Sequence, residues 1–275
     1  MKKILLVVDG SNYSKGALEF AKWLNEKNKI LLVGLFIPKI DYGYLWTYAE
    51  EGVNSTMFLP ITHDINNSEI NKTIETFVDD CKRNDIQYRV HKEYEGSALS
   101  VIMNESRFAD LLLLGSETFY NDYYSTELSE HIKDTLHEIE CPAIVLPEKY
   151  RIPITNVVAY DGSKSSVFAL KQFIYLFPEF ANNETILVNS KSDSKNTIPN
   201  QILIEELATK HFDNLTIFKN NFEPENYFDT IKLKAESAIL ISGAYGRGGI
   251  GGLFHTSFLS NIIKKHGVPV FITHK

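Results

Sequence analysis

The sequence predicts an α/β fold made of two tandem, open, parallel, five-stranded, doubly wound domains. Three observations carry that expectation. Short runs of Val, Ile and Leu alternate with longer stretches whose apolar residues recur at helical spacing. The short runs are apolar throughout rather than at every second position, as strands buried on both faces of a parallel sheet are. The whole pattern then occurs twice along the 275 residues.

The repeat is visible in residues. Ile4 to Val8 leads into Asp9-Gly10-Ser11, and Val157 to Tyr160 leads into Asp161-Gly162-Ser163. Ala17-Leu18 stands at the same offset from Asp9 as Ala169-Leu170 from Asp161. Farther on, Ala109 to Gly115 parallels Ser237 to Gly243, and Cys141-Pro142 before one apolar run parallels Val268-Pro269 before another. In the first copy the pattern predicts strands near 3–8, 30–36, 86–91, 110–115 and 143–146. Helices are expected between them near 13–26, 67–84, 97–107 and 126–139. In the second copy strands are expected near 155–160, 185–189, 214–218, 238–242 and 269–273, with helices near 165–177, 200–211, 225–235 and 257–266. Ala17, Phe20, Ala21 and Leu24 share one helical face, as do Leu170, Phe173, Ile174 and Phe177.

The domains are therefore placed at 1–147 and 154–275. A linker, 148–153, has prolines at its flanks, Pro147 and Pro153. The first copy carries an insertion, 38–64, rich in aromatics: Tyr42, Tyr44, Trp46, Tyr48 and Phe58. It reads either as a surface excursion that buries its own aromatics or as a lid.

Composition narrows the function classes. A net charge of −7 argues against broad nucleic-acid or membrane-surface binding, which needs a basic face. Cys81 and Cys141 form neither a CxxC pair nor a disulfide framework, which fits a reducing compartment. The apolar run at the start stops at Asp9, so it reads as a buried strand rather than a leader. No apolar run approaches the roughly 18 residues of a membrane helix, and a cytoplasmic location is expected. His131 and His137 are six apart, off one helical face, and no histidine has the partners of a metal site.

The chemistry-bearing stretch is Gly243 to Phe258, with six glycines in its first ten residues. Gly246-x-Gly248-x-x-Gly251 matches a dinucleotide fingerprint literally, but it follows the fourth strand of its unit rather than the first. No Gly-Lys-Ser/Thr of a phosphate loop follows, and Ser257 lacks the glycines of a nucleophile elbow. Strand ends remain the place where such sheets bind ligands, and Asp9, Asp161, Gly115 and Gly243 all fall there.

Gly243-x-x-Gly246, nine residues, then Thr256-Ser257 resembles the Gly-x-x-Gly-x9-Gly-Ser/Thr motif of the universal stress proteins, a Rossmann-like family. The resemblance spans nearly the whole chain as two tandem units, with the Asp after each first strand. It implies ATP, alone or with Mg²⁺, held in the second unit by Ala159, Tyr160, Asp161, Val188, Ser242, Gly243, Gly246, Arg247, Gly248, Thr256, Ser257 and Phe258. Asp161 would accept hydrogen bonds from adenine or ribose, or else serve as an N-cap. Ser257 would donate to phosphate at a helix start, or else cap that helix. Thr256 departs from the motif, since a β-branched residue suits a positive φ poorly. The first unit keeps Gly115 but has Thr118 at the second glycine, with Glu117, Asp122 and Glu127 adding repulsive charge. One nucleotide per chain is therefore expected.

By the same resemblance the two domains form an intrachain pseudo-dimer through their fifth strands or adjoining faces. A homodimer and a regulatory protein partner are further expectations, with no nucleic acid and no membrane. No base, nucleophile or metal cage is assigned, so slow ATP hydrolysis is the most enzymatic reading. The expected role is a nucleotide-responsive regulator of stress adaptation. The competing reading is a non-nucleotide-binding interaction module with degenerate sites in both copies.

Overall fold

The computed structural model describes residues 1–9, 13–37, 63–92, 98–116, 136, 138–189, 197–219, 237–243, 262–263 and 266–273. Ten strands run through them: β1 Lys2–Asp9, β2 Ile30–Ile37, β3 Gln87–Lys92, β4 Leu111–Gly115, β5 Ala143–Leu146, β6 Thr155–Ala159, β7 Glu184–Asn189, β8 Asn214–Lys219, β9 Ala238–Gly243 and β10 Val270–Thr273. The helices are α1 Lys15–Lys27, α2 His63–Arg83, α3 Ala98–Ser106, α4 Lys164–Leu176 and α5 Gln201–Thr209. Helix α2 takes in His63 and Asp64, the last two residues of the expected insertion. The rest of that insertion, the helix expected near 225–235, and most of the helices expected near 126–139 and 257–266 lie outside the described residues.

The strands form one sheet in the order β3-β2-β1-β4-β5-β10-β9-β6-β7-β8. Each half contributes the same internal order, with its first strand next to its second and fourth. Parallel five-stranded units meeting through their fifth strands or adjoining faces were the expectation; the structure joins the fifth strands into one mixed sheet. β5 and β10 pair antiparallel, Val145 with Val270 and Ala143 with Ile272, while every other described pair is parallel. The physical reason is that each half would otherwise end in a short, wholly apolar edge strand with unpaired backbone groups; joining the two edges satisfies both.

Because side chains alternate along a strand, the core divides by sheet face and not by half. On the first face Ile4, Leu6 and Val8 of β1 and Val158 and Tyr160 at β6 pack with α1, α2, α4 and α5. On the second face Leu5 and Val7, Val157 and Leu240 pack with Ile102 of α3 and with Leu136, Ile139, Ile262 and Ile263. Helix α1 is capped by Ser14, whose hydroxyl accepts from the Ala17 amide at 3.1 Å. It buries Ala17, Leu18, Phe20, Ala21 and Leu24, the face its spacing predicts. Helix α4 buries Ala169, Leu170 and Phe173 on the same sheet face, with Ile174 half-buried beside them.

The two halves meet there in an aromatic seam. Trp23 stacks on Phe180 with centroids 4.8 Å apart, and Phe20 meets Phe177 edge-on at 6.0 Å. Phe271 of β10 lies edge-on to Phe173 and Phe177. Lys2 donates to the Leu176 carbonyl and lies over the Phe177 ring. Such aromatic pairs add about 0.5–1.5 kcal/mol each beyond the area they bury. Cys81 and Cys141 are buried free thiols, both pushed up to about 12 by desolvation. Among the described residues no helix is long and apolar enough to cross a membrane.

Candidate functional site

The order β9-β6-β7 sets the geometry of the second half's carboxyl edge. From β6 the chain departs toward β7 on one side, while β9 flanks it on the other. That is a switch in strand order, and the crevice outside it is where open α/β sheets take ligands. Ala159 lies opposite Val188 in the β6–β7 ladder. Val158 lies opposite Ile241, which sets Ser242 beside Ala159. Ser242, Ala159 and Val188 thus form one in-register row across three strands, all on the second face. Ala159 is half-buried, and Val188 and Ser242 are buried. The Ser242 hydroxyl, on a residue 1% exposed, has no hydrogen-bond partner among the described residues.

Tyr160 points the other way. Its ring is buried on the first face and its phenol donates to the Pro199 carbonyl at 2.8 Å. Burial, with the nearby Asp161 second, pushes that phenol up. Of the expected site residues, Tyr160 therefore supplies a wall rather than a group facing the row.

Asp161 sits just past β6, half-buried, and its Oδ1 accepts from the Ser163 amide at 2.8 Å. Gly162 between them has φ +79°, a left-handed turn where a Cβ would also lie 2.5 Å from Pro199. The N-cap of α4 is Ser163, which accepts from the Ser166 amide at 3.1 Å. So the capping role open to Asp161 falls to Ser163, and Asp161 braces the turn that delivers it.

Gly243 ends β9 against the first turn of α4. A Cβ there would lie 2.4 Å from the Ser165 carbonyl carbon and 2.5 Å from its oxygen. Close helix–strand packing by itself accounts for this glycine. Gly246, Arg247, Gly248, Thr256, Ser257 and Phe258 lie outside the described residues, as do Glu117, Thr118, Asp122 and Glu127 of the first copy.

Asn189, the last residue of β7, is a member of this edge that the sequence reading missed. It is 0% exposed, and its Nδ2 donates to the Tyr160 carbonyl at 2.8 Å. Its Oδ1 has no partner among the described residues. The available signal was a polar amide closing the apolar run Ile186-Leu187-Val188.

The first half answers the row and Asn189 with bulk. Val7 pairs with Leu35, and Leu6 with Leu113, so the matching row is Leu114, Val7 and Leu35. All three are 0% exposed. Phe36 stands where Asn189 does, edge-on to Phe77 at 5.7 Å. Among the described residues no group of His, Cys, Asp and Glu is placed to hold a metal ion.

No family model matches this sequence, and no curated protein matches it. Solved structures do match its fold. A universal stress protein from Archaeoglobus fulgidus DSM 4304 superposes with a TM-score of 0.67 at 16% identity, covering 100% of this chain and 96% of that one. A putative universal stress protein from Pseudomonas aeruginosa UCBPP-PA14 gives 0.64 at 12% identity, over 100% and 93%. A functionally unknown protein from Pseudomonas aeruginosa PAO1 gives 0.61 at 12% identity, over 100% and 92%. The chain therefore has, over its full length, the α/β fold found in universal stress proteins.

Proposed function

We propose that this chain binds one adenine nucleotide, ATP, at the carboxyl edge of its second half and acts as a nucleotide-responsive regulator in stress adaptation. The row Ser242-Ala159-Val188 carries the reading. Each of its side chains is smaller than its counterpart in Leu114-Val7-Leu35, and one ends in a buried hydroxyl that lacks a partner among the described residues. A buried, unpaired hydroxyl costs about 1–3 kcal/mol, so it calls for an occupant that pairs with it. The expected phosphate loop from Gly246 to Ser257 supports the same edge, since free N–H groups at a helix start favour anions. Asp161 is available to ribose or base while bracing its turn. The two halves are proposed as domains, 1–147 and 154–275, fused through β5 and β10. With no base or nucleophile assigned, turnover beyond slow hydrolysis is not part of the proposal.

A second reading, an interaction module that binds no nucleotide, is favoured by two observations. Gly243 is explained by packing against Ser165, and Thr256 replaces the motif glycine. Calorimetric titration with ATP up to millimolar concentration separates the two. Binding by the wild type that is lost in Gly246→Val supports the nucleotide site; no binding by either protein leaves the interaction module.

A further inference from the structure

We propose that β8 is a self-pairing edge: a second copy of this chain adds its own β8 antiparallel, across a two-fold axis at Thr216. The proposal is independent of the nucleotide reading. β3 and β8 stand at the two ends of the sheet, and each pairs with one described strand, β2 and β7. In a parallel ladder alternate residues aim both N–H and C=O at the neighbour, so the others on β8 aim theirs outward. Edges of this kind template a further strand unless charge blocks it. β3 carries Arg89 and Lys92, and cations that face their own copies repel. β8 reads Asn214-Leu-Thr-Ile-Phe-Lys219, with no charge until its last residue.

The β8 edge is also complementary to itself. Directly opposed residues of an antiparallel pair share a sheet face, so a symmetric pairing centres on one residue. Leu215 and Ile217 lie on the first face, half-buried against its core, and Thr216 is exposed on the second. Centring on Thr216 sets Leu215 opposite Ile217 twice and Thr216 opposite its copy, both favourable cross-strand pairs. Just before the strand, Asp213 then stands opposite Lys219, also twice. Asp213 is exposed, and Lys219, which donates to the Thr197 carbonyl at 3.1 Å, keeps further N–H donors for a carboxylate. Centring on Leu215 sets Asp213 against Ile217, and centring on Ile217 sets Lys219 against Leu215. Charge and apolar pairing therefore select one register. Six residues of strand are small beside the roughly 800 Å² per partner that a stable interface buries. Helix α5 adds to them: it leads into β8 on the first face, where the two-fold axis brings its copy alongside. Its Ile202 and Leu203 are 80% and 65% exposed. The assembly closes as a dimer, because an isologous edge leaves no second β8 to pair.

The test is sedimentation equilibrium of the full chain without nucleotide, over a concentration series, with circular dichroism and a melting temperature for each variant. Wild type is expected to show a monomer–dimer equilibrium. Thr216→Lys sets two ammonium groups face to face on the axis and is expected to raise the dissociation constant about tenfold or more. Asp213→Lys and Lys219→Asp each oppose like charges at two places and weaken the dimer by a similar factor. The double swap Asp213→Lys, Lys219→Asp restores it to near the wild-type value, which a mere change of surface charge would not do. A wild type that stays monomeric at every concentration overturns the proposal, as does a dimer that Thr216→Lys leaves intact. Assemblies that grow past the dimer mean heterologous pairing, and a double swap that does not recover means another register; each overturns it. Should Thr216→Lys not fold, the charge series decides.

Discussion

The carboxyl edges of the two halves are built on the same strand order and differ in what fills them. In the first half Leu114, Val7, Leu35 and Phe36 close the edge with aliphatic and aromatic bulk, all buried. In the second half Ser242, Ala159, Val188 and Asn189 occupy the matching places, two of them with buried polar atoms that have no partner among the described residues. A strand framework fixes where a crevice lies, and a few side chains at its last rung decide whether it is packed shut or open to chemistry. The seam through Trp23, Phe177, Phe180 and Phe271 joins the two halves on the first sheet face.

The comparison can be broken from either side. The largest effect is expected from opening the closed row. Leu114→Ser removes a fully buried side chain and buries a hydroxyl, and is expected to cost about 3–5 kcal/mol in chemical denaturation. It gains no nucleotide binding, because Phe36 and the other two aliphatic residues remain. Writing the closed row into the open one is next. Ala159→Val with Ser242→Leu is expected to weaken ATP binding at least about hundredfold, or roughly 2.7 kcal/mol. Its melting temperature should stay close to that of the wild type, since a buried unpaired hydroxyl is exchanged for aliphatic packing. An unfolded double variant would mean the second edge is packed as tightly as the first. The smallest effect is at a surface pair remote from both rows. Arg107 donates to Glu140 through Nε at 2.9 Å, and this hydrogen bond, with the attraction of the charges, holds the Glu140 carboxyl below its ordinary value. A depressed carboxylate contributes stability above its unfolded value, and that contribution is lost as pH falls through the folded one. Arg107→Ala should therefore melt slightly lower than wild type near neutrality, with the gap closing as pH falls below the usual glutamate value of about 4.3 and gone only below the depressed folded value. Its ATP affinity should not change.

Most of the fold was legible in the sequence because its signals are local. The run Ile4 to Val8, the helical spacing of Ala17, Phe20, Ala21 and Leu24, and the repeated Asp-Gly-Ser each determine one element by themselves. Helix α2 starts at His63 rather than near 67, since polar residues at a helix start carry little periodicity. Resemblance pointed to the fifth strands as a junction, but the fusion into one antiparallel-linked sheet has no local signal: Ala143 to Leu146 and Val270 to Thr273 are apolar on both faces whichever edge they join. That Asp161, Ser242 and Gly243 fall at strand ends was legible, whereas their partners were not. That Ser163 is the cap, that Gly243 makes room for Ser165, and that Tyr160 faces Pro199 all depend on chain segments brought together by tertiary packing. Asn189 was overlooked because a single amide ending an apolar run has no pattern around it.

The measurement that bears most directly on the asymmetry between the halves is the number of ATP molecules held per chain. Equilibrium dialysis of the wild-type protein against radiolabelled ATP at saturation counts them. One molecule per chain, falling to none in the Ala159→Val, Ser242→Leu variant, is the predicted result. Two per chain would contradict the closed first edge, and none would contradict the open second one.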